Sequence, residues 1–115
     1  MNLNKKNNKD LLQEALKHHQ AGNLGSAAKL YNKVLEMQPN NIDILFLSGT
    51  LNLQSGKLDL ACLLFRKALE LEPGHAMAHA NLGTALQESG RFEEAIVSYR
   101  QAIALRQDYT DVHYN

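Results

Sequence analysis

The chain has 115 residues, of which 44% are apolar and 21% charged, and its 12 basic and 12 acidic residues give a formal net charge of zero. A balanced charge without a basic stripe argues against nucleic acid and anionic membranes as partners. No stretch approaches the roughly 20 apolar residues of a membrane span, and the polar first ten residues are not a secretory signal. The single Cys62 fits a reducing compartment, so we expect a cytoplasmic protein.

A step of 34 residues recurs along the chain, beginning with Gly22, Gly56 and Gly90. The small, aromatic and proline positions that keep this step are Ala27, Ala61 and Ala95; Tyr31, Phe65 and Tyr99; and Pro39 and Pro73. A period of this length predicts stacked pairs of helices. We therefore expect a flexible polar segment over 1–7, three units over 8–41, 42–75 and 76–109, and the first helix of a fourth unit beginning at 110–115.

Each unit predicts two helices in chain order. The first helices are expected over 8–21, 42–55 and 76–89, and the second over 24–37, 58–71 and 92–105. The repeated glycines stand where a first helix ends, because glycine adopts the left-handed conformation found there. The prolines prevent the second helices from continuing, and Asn40 and Asn41 are suited to cap the helix that follows. Gly49 and Gly83 are expected to face Ala61 and Ala95, with an aromatic ring beside each contact.

These positions resemble the tetratricopeptide repeat family over nearly the whole chain. The resemblance implies an all-α fold, a right-handed α-solenoid of helix-turn-helix units. It also implies a protein–protein interaction role, in which a concave groove formed by the first helices binds a peptide segment. The groove residues carried over from the family are Leu12, Gln13, Leu16, Phe46, Leu47, Thr50, Met77, Asn81 and Thr84.

Two readings of this groove remain open. Its apolar members are more numerous than a solvated surface needs, which favours a binding site, yet they could instead pack against neighbouring helices or the N-terminal segment. The resemblance also implies no carboxylate clamp, because Asn81 alone matches the Asn, Lys and Arg set that holds acidic C-termini in some relatives. Asn81 and Asn115 match an asparagine ladder that holds peptide backbones in others, whereas Gln13 and Leu47 do not.

A narrower resemblance covers the first 50 residues. The matching segments are 19–24, Leu30-Tyr31, Leu35, Pro39-Asn40 and 47–49. They look like the N-terminal repeats of bacterial proteins that continue into a glycosyltransferase of the O-linked N-acetylglucosamine transferase type, a sulfotransferase or a methyltransferase. The alternative function is therefore a substrate-recruiting arm of such a glycosyltransferase, in which case we expect this sequence to be part of a longer protein.

Apolar residues on the second helices suggest self-association. Leu60, Leu63 and Leu64 occupy positions whose equivalents, Glu94, Val97 and Ser98, are expected to face outward. Ile96 and Ile103 have no following helix to cover them. We expect residues 110–115 to fold back over them or a second copy of the chain to cover them through an extended or swapped last helix; a frayed end is the competing expectation.

Chemical sites are not expected. His75 and His79 have the spacing of two metal ligands on a helix, but no third ligand stands nearby, and a structural zinc site needs four. No serine lies in a strained nucleophile turn, and the glycines do not form a phosphate loop. We therefore expect no enzymatic activity, no metal and no cofactor in these residues.

Overall fold

Six helices make up the part of the chain that the computed structural model describes, which extends from Asn7 to Tyr114, with side chains to Arg106. They are α1 (Asn8–Gln20), α2 (Leu24–Met37), α3 (Ile42–Gln54), α4 (Leu58–Leu71), α5 (Ala76–Glu88) and α6 (Phe92–Tyr114). The predicted bounds of α1 to α5 are confirmed to within one residue. The segment predicted to be flexible lies outside the described residues except for Asn7, and so does Asn115.

Local signals define the helix ends. Gly22, Gly56 and Gly90 all have positive φ, at 82°, 76° and 81°, and each directly follows the C-cap of a first helix. Since a side chain at such φ would be strained, glycine is the residue that lets each pair of helices turn. The predicted cap at Asn41 is also confirmed, because its side-chain oxygen accepts a hydrogen bond from the Ile44 amide at 3.2 Å.

The core consists of two clusters, each of which reaches into the following unit. The first includes Leu11 and Ala15 of α1, Tyr31 of α2 and Ile44 of α3; the second includes Phe65 of α4 and Leu82 and Leu86 of α5. A helix pair thus buries its apolar face against the first helix of the next pair. This dependence on neighbours is the physical basis of a solenoid, and the all-α solenoid prediction is confirmed.

Aromatic rings lie against the glycines of the first helices. A Cβ built on Gly49 would stand 2.7 Å from Cε1 of Phe65, and one on Gly83 would stand 2.8 Å from Cδ1 of Tyr99. The atoms nearest to each glycine are therefore those of the aromatic ring predicted to lie beside the contact. The ring itself occupies the space that glycine leaves, and the alanines are buried in the second cluster.

The last helix is longer than predicted. α6 was expected to end near Leu105, but it continues without a break to Tyr114 and has 23 residues, against 14 in α2 and α4. The physical reason is that Gln107 stands where Pro39 and Pro73 follow the other second helices. No turn therefore separates the third predicted unit from the fourth. The fold-back prediction is wrong, because the helix runs on and Ile96 and Ile103 stay exposed.

Within the described range, none of the helices combines the length and apolar character needed to cross a membrane.

Candidate functional site

The surface formed by α1, α3 and α5, here called the first-helix face, contains all nine residues predicted to line the groove. Gln13 and Met77 are exposed, and the other seven are half-buried: Leu12, Leu16, Phe46, Leu47, Thr50, Asn81 and Thr84. Hydrogen bonds cross this face between neighbouring first helices, from α1 to α3 and from α3 to α5. The three helices that carry the predicted residues are therefore linked directly to one another.

The apolar residues of this face are divided between packing and exposure. Leu12 and Leu47 pack against the first core cluster. Phe46 packs against the second, with its ring centroid 6.0 Å from that of Phe65 and 4.8 Å from that of His75. The packing interpretation is thus correct for part of each side chain. The remaining area stays accessible, and Met77 is 53% exposed.

Asn81 differs from the two threonines of the face. The hydroxyls of Thr50 and Thr84 donate to the backbone carbonyls of Phe46 and Ala80 in their own helices. Asn81 Nδ2 donates to Thr50 Oγ1 at 3.4 Å, a long hydrogen bond. Among the described residues no hydrogen bond uses the Asn81 amide oxygen, so this side chain can both donate to and accept from a peptide group.

Tyr99 supports the α5 edge of the face from behind. Its hydroxyl donates to Oε1 of Gln87 at 2.8 Å and lies 3.2 Å from Oγ1 of Thr84. Because the same ring lies against Gly83, its position is set by packing. The side chains of Thr84 and Gln87 are therefore held in place before anything binds.

A second polar network, which the sequence analysis did not identify, ties α1, α2 and α3 together. His19 Nδ1 lies 2.8 Å from the Tyr31 hydroxyl, and Nε2 lies 2.7 Å from Gln54 Oε1. Gln54 Oε1 can only accept, so Nε2 carries the proton and Nδ1 accepts from Tyr31. Burial raises the pKa of Tyr31, so its hydroxyl stays protonated to a higher pH than that of an exposed tyrosine. The signal in the sequence was a histidine in the last turn of α1.

The outer side of the second helices differs in part from expectation. Leu60 and Leu63 are exposed, as predicted, but Leu64 is half-buried. Ser98 is buried, so its predicted outward orientation is wrong. An open cleft of about 380 Å³ lies between α4 and α6 beside Ser98, above Leu69 and Leu82. Serine stands here where the 34-residue step places Leu64 in the preceding unit.

The two histidines with metal-ligand spacing have separate roles. His75 Nδ1 accepts from the Ala78 amide at 3.1 Å as the N-cap of α5, and His79 Nε2 donates to the carbonyl of Pro73 at 2.9 Å. The described residues include no group of three or more His, Cys, Asp or Glu able to hold a metal ion. Burial raises the pKa of the Cys62 thiol, the reverse of what a reactive thiolate needs.

Family profiles match most of the chain. Two profiles described as tetratricopeptide repeat match residues 12–76 and 64–97, and one described as TPR repeat matches residues 85–115. No curated protein sequence matches the chain.

Similar solved structures are repeat proteins. A Thermobaculum terrenum O-GlcNAc transferase mutant is 37% identical over 89% of this chain, with a TM-score of 0.80. MamA of AMB-1 is 28% identical over 90% of the chain, with a TM-score of 0.85. MamA from Desulfovibrio magneticus RS-1, at 23% identity, 86% coverage and a TM-score of 0.83, bears on the fold alone. The chain spans 20%, 61% and 56% of these three proteins, respectively.

Proposed function

This chain belongs to the tetratricopeptide repeat family, and from that premise we propose that its first-helix face binds an extended peptide segment of a partner protein. The family and the related repeat structures support a protein-interaction scaffold. The observation that carries the peptide proposal is the amide of Asn81, whose oxygen is not used by any hydrogen bond among the described residues, on a face that also carries accessible apolar side chains.

The chemistry of this face suits a peptide backbone with aliphatic side chains. A side-chain amide pairs with a peptide group through one donor and one acceptor, independently of the ligand's sequence. The accessible parts of Leu16, Leu47 and Met77 would contact apolar side chains of the ligand. None of the positions that hold an acidic C-terminus in relatives is basic here, so the ligand need not end at this site.

The packed helices favour binding because few side chains of the first-helix face must become ordered when a peptide binds. Tyr99 holds Thr84 and Gln87, and His19 holds Gln54, in the unbound protein. Side chains that are already immobilised lose less entropy on association, which increases affinity for a given set of contacts.

The test uses a synthetic library of uncharged ten-residue peptides rich in Leu and Ile, with a second library in which Lys or Glu replaces them. We expect the parent chain to select members of the first library. Asn81→Ala should weaken the selected peptides by about 1 kcal/mol, roughly fivefold in Kd, because one amide pairing is lost. Isothermal titration calorimetry measures this loss.

The matched control is Asn32→Ala, which removes an exposed asparagine from α2. It should leave the Kd unchanged. Equal affinity of the parent and Asn81→Ala would contradict the backbone contact, and selection of the charged library would contradict the peptide class.

A second function is favoured by the 37% identity to an O-GlcNAc transferase over most of this chain. We propose that these repeats recruit substrates for a glycosyltransferase domain in the same protein. Reading the gene beyond the codon for Asn115 tests this: a glycosyltransferase domain supports the proposal, and any other continuation or a stop codon contradicts it.

We further propose that residues 1–115 act in the cytoplasm and neither catalyse a reaction nor hold a stoichiometric metal ion. Elemental analysis of the purified chain tests the metal, and a zinc ion retained after dialysis against a chelator would contradict the proposal.

A further inference from the structure

The cleft of about 380 Å³ between α4 and α6, here called the α4–α6 cleft, is a second concave site. Its apolar lining consists of Leu69 of α4, Leu82 of α5 and Val97 of α6. It is therefore bounded by neighbouring helices that this chain itself supplies. Pockets for small molecules span about 300–1,000 Å³, so the cleft has room for one long side chain rather than for a large cofactor.

The cleft is separate from the first-helix face. Residues two positions apart on a helix point about 200° apart, since each residue turns the helix by about 100°. His79, which lines the cleft, lies two residues before Asn81 of the first-helix face. Leu82 likewise lies two residues before Thr84. Opposite sides of α5 thus serve the two surfaces, and a ligand in the cleft leaves the first-helix face open.

The preceding unit shows which kind of side chain fits this part of the repeat. One step of 34 residues earlier, Ser98 corresponds to Leu64 of α4, which is half-buried. Leu69 corresponds to Leu35, which packs against the first core cluster. The second unit thus carries an aliphatic chain at the position where the third unit has a serine and an open cleft. We therefore expect an occupant of the cleft to be aliphatic along most of its length.

The hydroxyl of Ser98 calls for a polar atom in the same occupant. Ser98 is only 7% exposed, and within the described part of the chain no hydrogen bond uses its Oγ. Ser55 and Ser89 differ, because each donates to the carbonyl four residues earlier. Side-chain polar groups buried to this extent ordinarily have a partner. An apolar occupant alone would leave this hydroxyl unpaired.

The other unused polar groups that line the cleft include two further acceptors. His79 Nε2 donates to the carbonyl of Pro73, so Nδ1 of the neutral ring keeps its lone pair. The carboxylate of Glu70 is exposed and takes part in no hydrogen bond or ion pair among the described residues. Together with Ser98 Oγ, the cleft presents three acceptors, the number of donors that an ammonium group has.

The charge of the cleft also favours a cation. Arg66 lines the cleft, but its guanidinium lies 3.7 Å from the carboxylate of Glu94, which offsets its charge. The carboxylate of Glu70 is then left without a counter-ion. Because Glu70 is exposed, a cation beside it can keep part of its hydration, so the pairing does not require full desolvation.

We propose that the α4–α6 cleft binds a lysine side chain of a partner protein. The four-carbon stem lies on the apolar lining, as lysine stems do on other apolar surfaces, and the ammonium donates to Glu70 and Ser98 Oγ. A protein is the expected source because tetratricopeptide repeats are interaction scaffolds. The site shares no residue with the first-helix face, so this proposal does not depend on the peptide proposal.

Disulfide tethering on the 115-residue chain tests the ammonium in the cleft. Gln101→Cys puts a thiol on the lining, and Cys62 stays unreactive because it is buried. Exchange with cystamine releases cysteamine and leaves a short ammonium-bearing chain on residue 101. Bis(2-hydroxyethyl) disulfide leaves a neutral chain of the same length. With equal amounts of both reagents, intact mass spectrometry measures the ratio of the ammonium adduct to the neutral adduct.

The matched control is Lys67→Cys, which lies one step of 34 residues before position 101. Glu36 corresponds there to Glu70, so a carboxylate is present in both units, but Leu64 stands in place of the serine. We expect the adduct ratio of Gln101→Cys to exceed that of the control by about threefold to fivefold, a modest factor because exposed ion pairs are weak.

Two double variants identify the groups responsible. Glu70→Gln removes the charge and Ser98→Leu fills the space, and each, combined with Gln101→Cys, should lower the adduct ratio. Circular dichroism checks that the helices are retained, and Glu70→Gln changes an exposed side chain that the fold does not need. An equal ratio in Gln101→Cys and the control, or a ratio that persists in either double variant, overturns the proposal.

A titration with free n-butylamine, followed by heteronuclear NMR, tests the source of the amine. A lysine in a partner protein shares the cost of association with the contacts around it, whereas the isolated amine bears that cost alone. We therefore expect n-butylamine to bind with a Kd above about 1 mM. A lower Kd would assign the cleft to a free alkylamine and overturn its assignment to a partner's lysine.

Discussion

The ring of Phe65 occupies the space in which any residue other than glycine at position 49 would place its Cβ. The built Cβ stands 2.7 Å from Cε1, and Phe65 is fully buried, so the ring has little room to withdraw. This relationship sets the distance between α3 and α4, and the same relationship between Gly83 and Tyr99 sets the distance between α5 and α6.

Gly49→Ala should therefore destabilise the protein. Overpacking a closed contact costs about 1–3 kcal/mol, which exceeds the gain of at most about 1 kcal/mol that alanine brings to a helix. Urea denaturation measures the change. The matched control is Gly25→Ala in α2, where a Cβ meets nothing within 4 Å. The control should be neutral or stabilising, and equal stabilities of the two variants would show that the Phe65 contact is not tight.

His19→Ala should lower the free energy of unfolding by about 1–3 kcal/mol, because the buried hydroxyl of Tyr31 loses the acceptor at 2.8 Å. Adding Tyr31→Phe to His19→Ala removes the unpaired hydroxyl and should restore part of the loss. The four members of this double-mutant cycle are compared by thermal or urea unfolding. Strictly additive effects of the two substitutions would mean that the hydrogen bond contributes nothing.

Stability should fall at alkaline pH, in part through Tyr31. Burial raises its pKa in the folded state, so above pH of about 10, the ordinary pKa of tyrosine, the unfolded chain loses this proton more readily than the folded one. The stability that the protonated Tyr31 contributes is fully present below that pH. It is lost as the pH rises toward the folded-state pKa of Tyr31. Tyr31→Phe should show a shallower alkaline decrease of the melting temperature than the parent, and an identical slope would count against the burial effect.

Ser98→Leu should stabilise the protein by about 1 kcal/mol. It places in α6 the residue that α4 has at the equivalent position, Leu64, and its side chain can enter the cleft above Leu69 and Leu82. Val97→Leu, at an exposed neighbouring position, serves as the control and should change stability little. A loss of stability in Ser98→Leu would show that the cleft cannot admit a leucine.

The helices and their ends could be predicted from the sequence, because both depend on residues that are close along the chain. The glycines at 22, 56 and 90 have the left-handed backbone that a turn requires, and Asn41 caps α3, because these preferences depend on a few adjacent residues. The end of α6 illustrates the same rule in reverse: with Gln107 in place of a proline, nothing local stops the helix, and it continues past the predicted unit boundary.

Contacts between residues that are far apart in the sequence were harder to predict. The repeat predicted a set of groove residues, all of which lie on the first helices α1, α3 and α5. It did not show how closely the Phe65 ring approaches Gly49, or that Ser98 is buried beside a cleft. The network of His19, Tyr31 and Gln54 also went unnoticed, because a polar residue at a surface position carries no sign of a partner 12 or 35 residues away.

The amino-acid sequence by itself determined the period, the helices and the family of this protein, because repeated spacing and capping are properties of short segments. Only the tertiary structure decided which atoms fill the space beside each glycine, which polar groups are paired, and which apolar side chains stay exposed. Those outcomes depend on how side chains from several helices share one volume. For the same reason Cys62 is covered by α5, whereas its counterpart Ile96 on α6 has no following helix over it among the described residues and stays exposed.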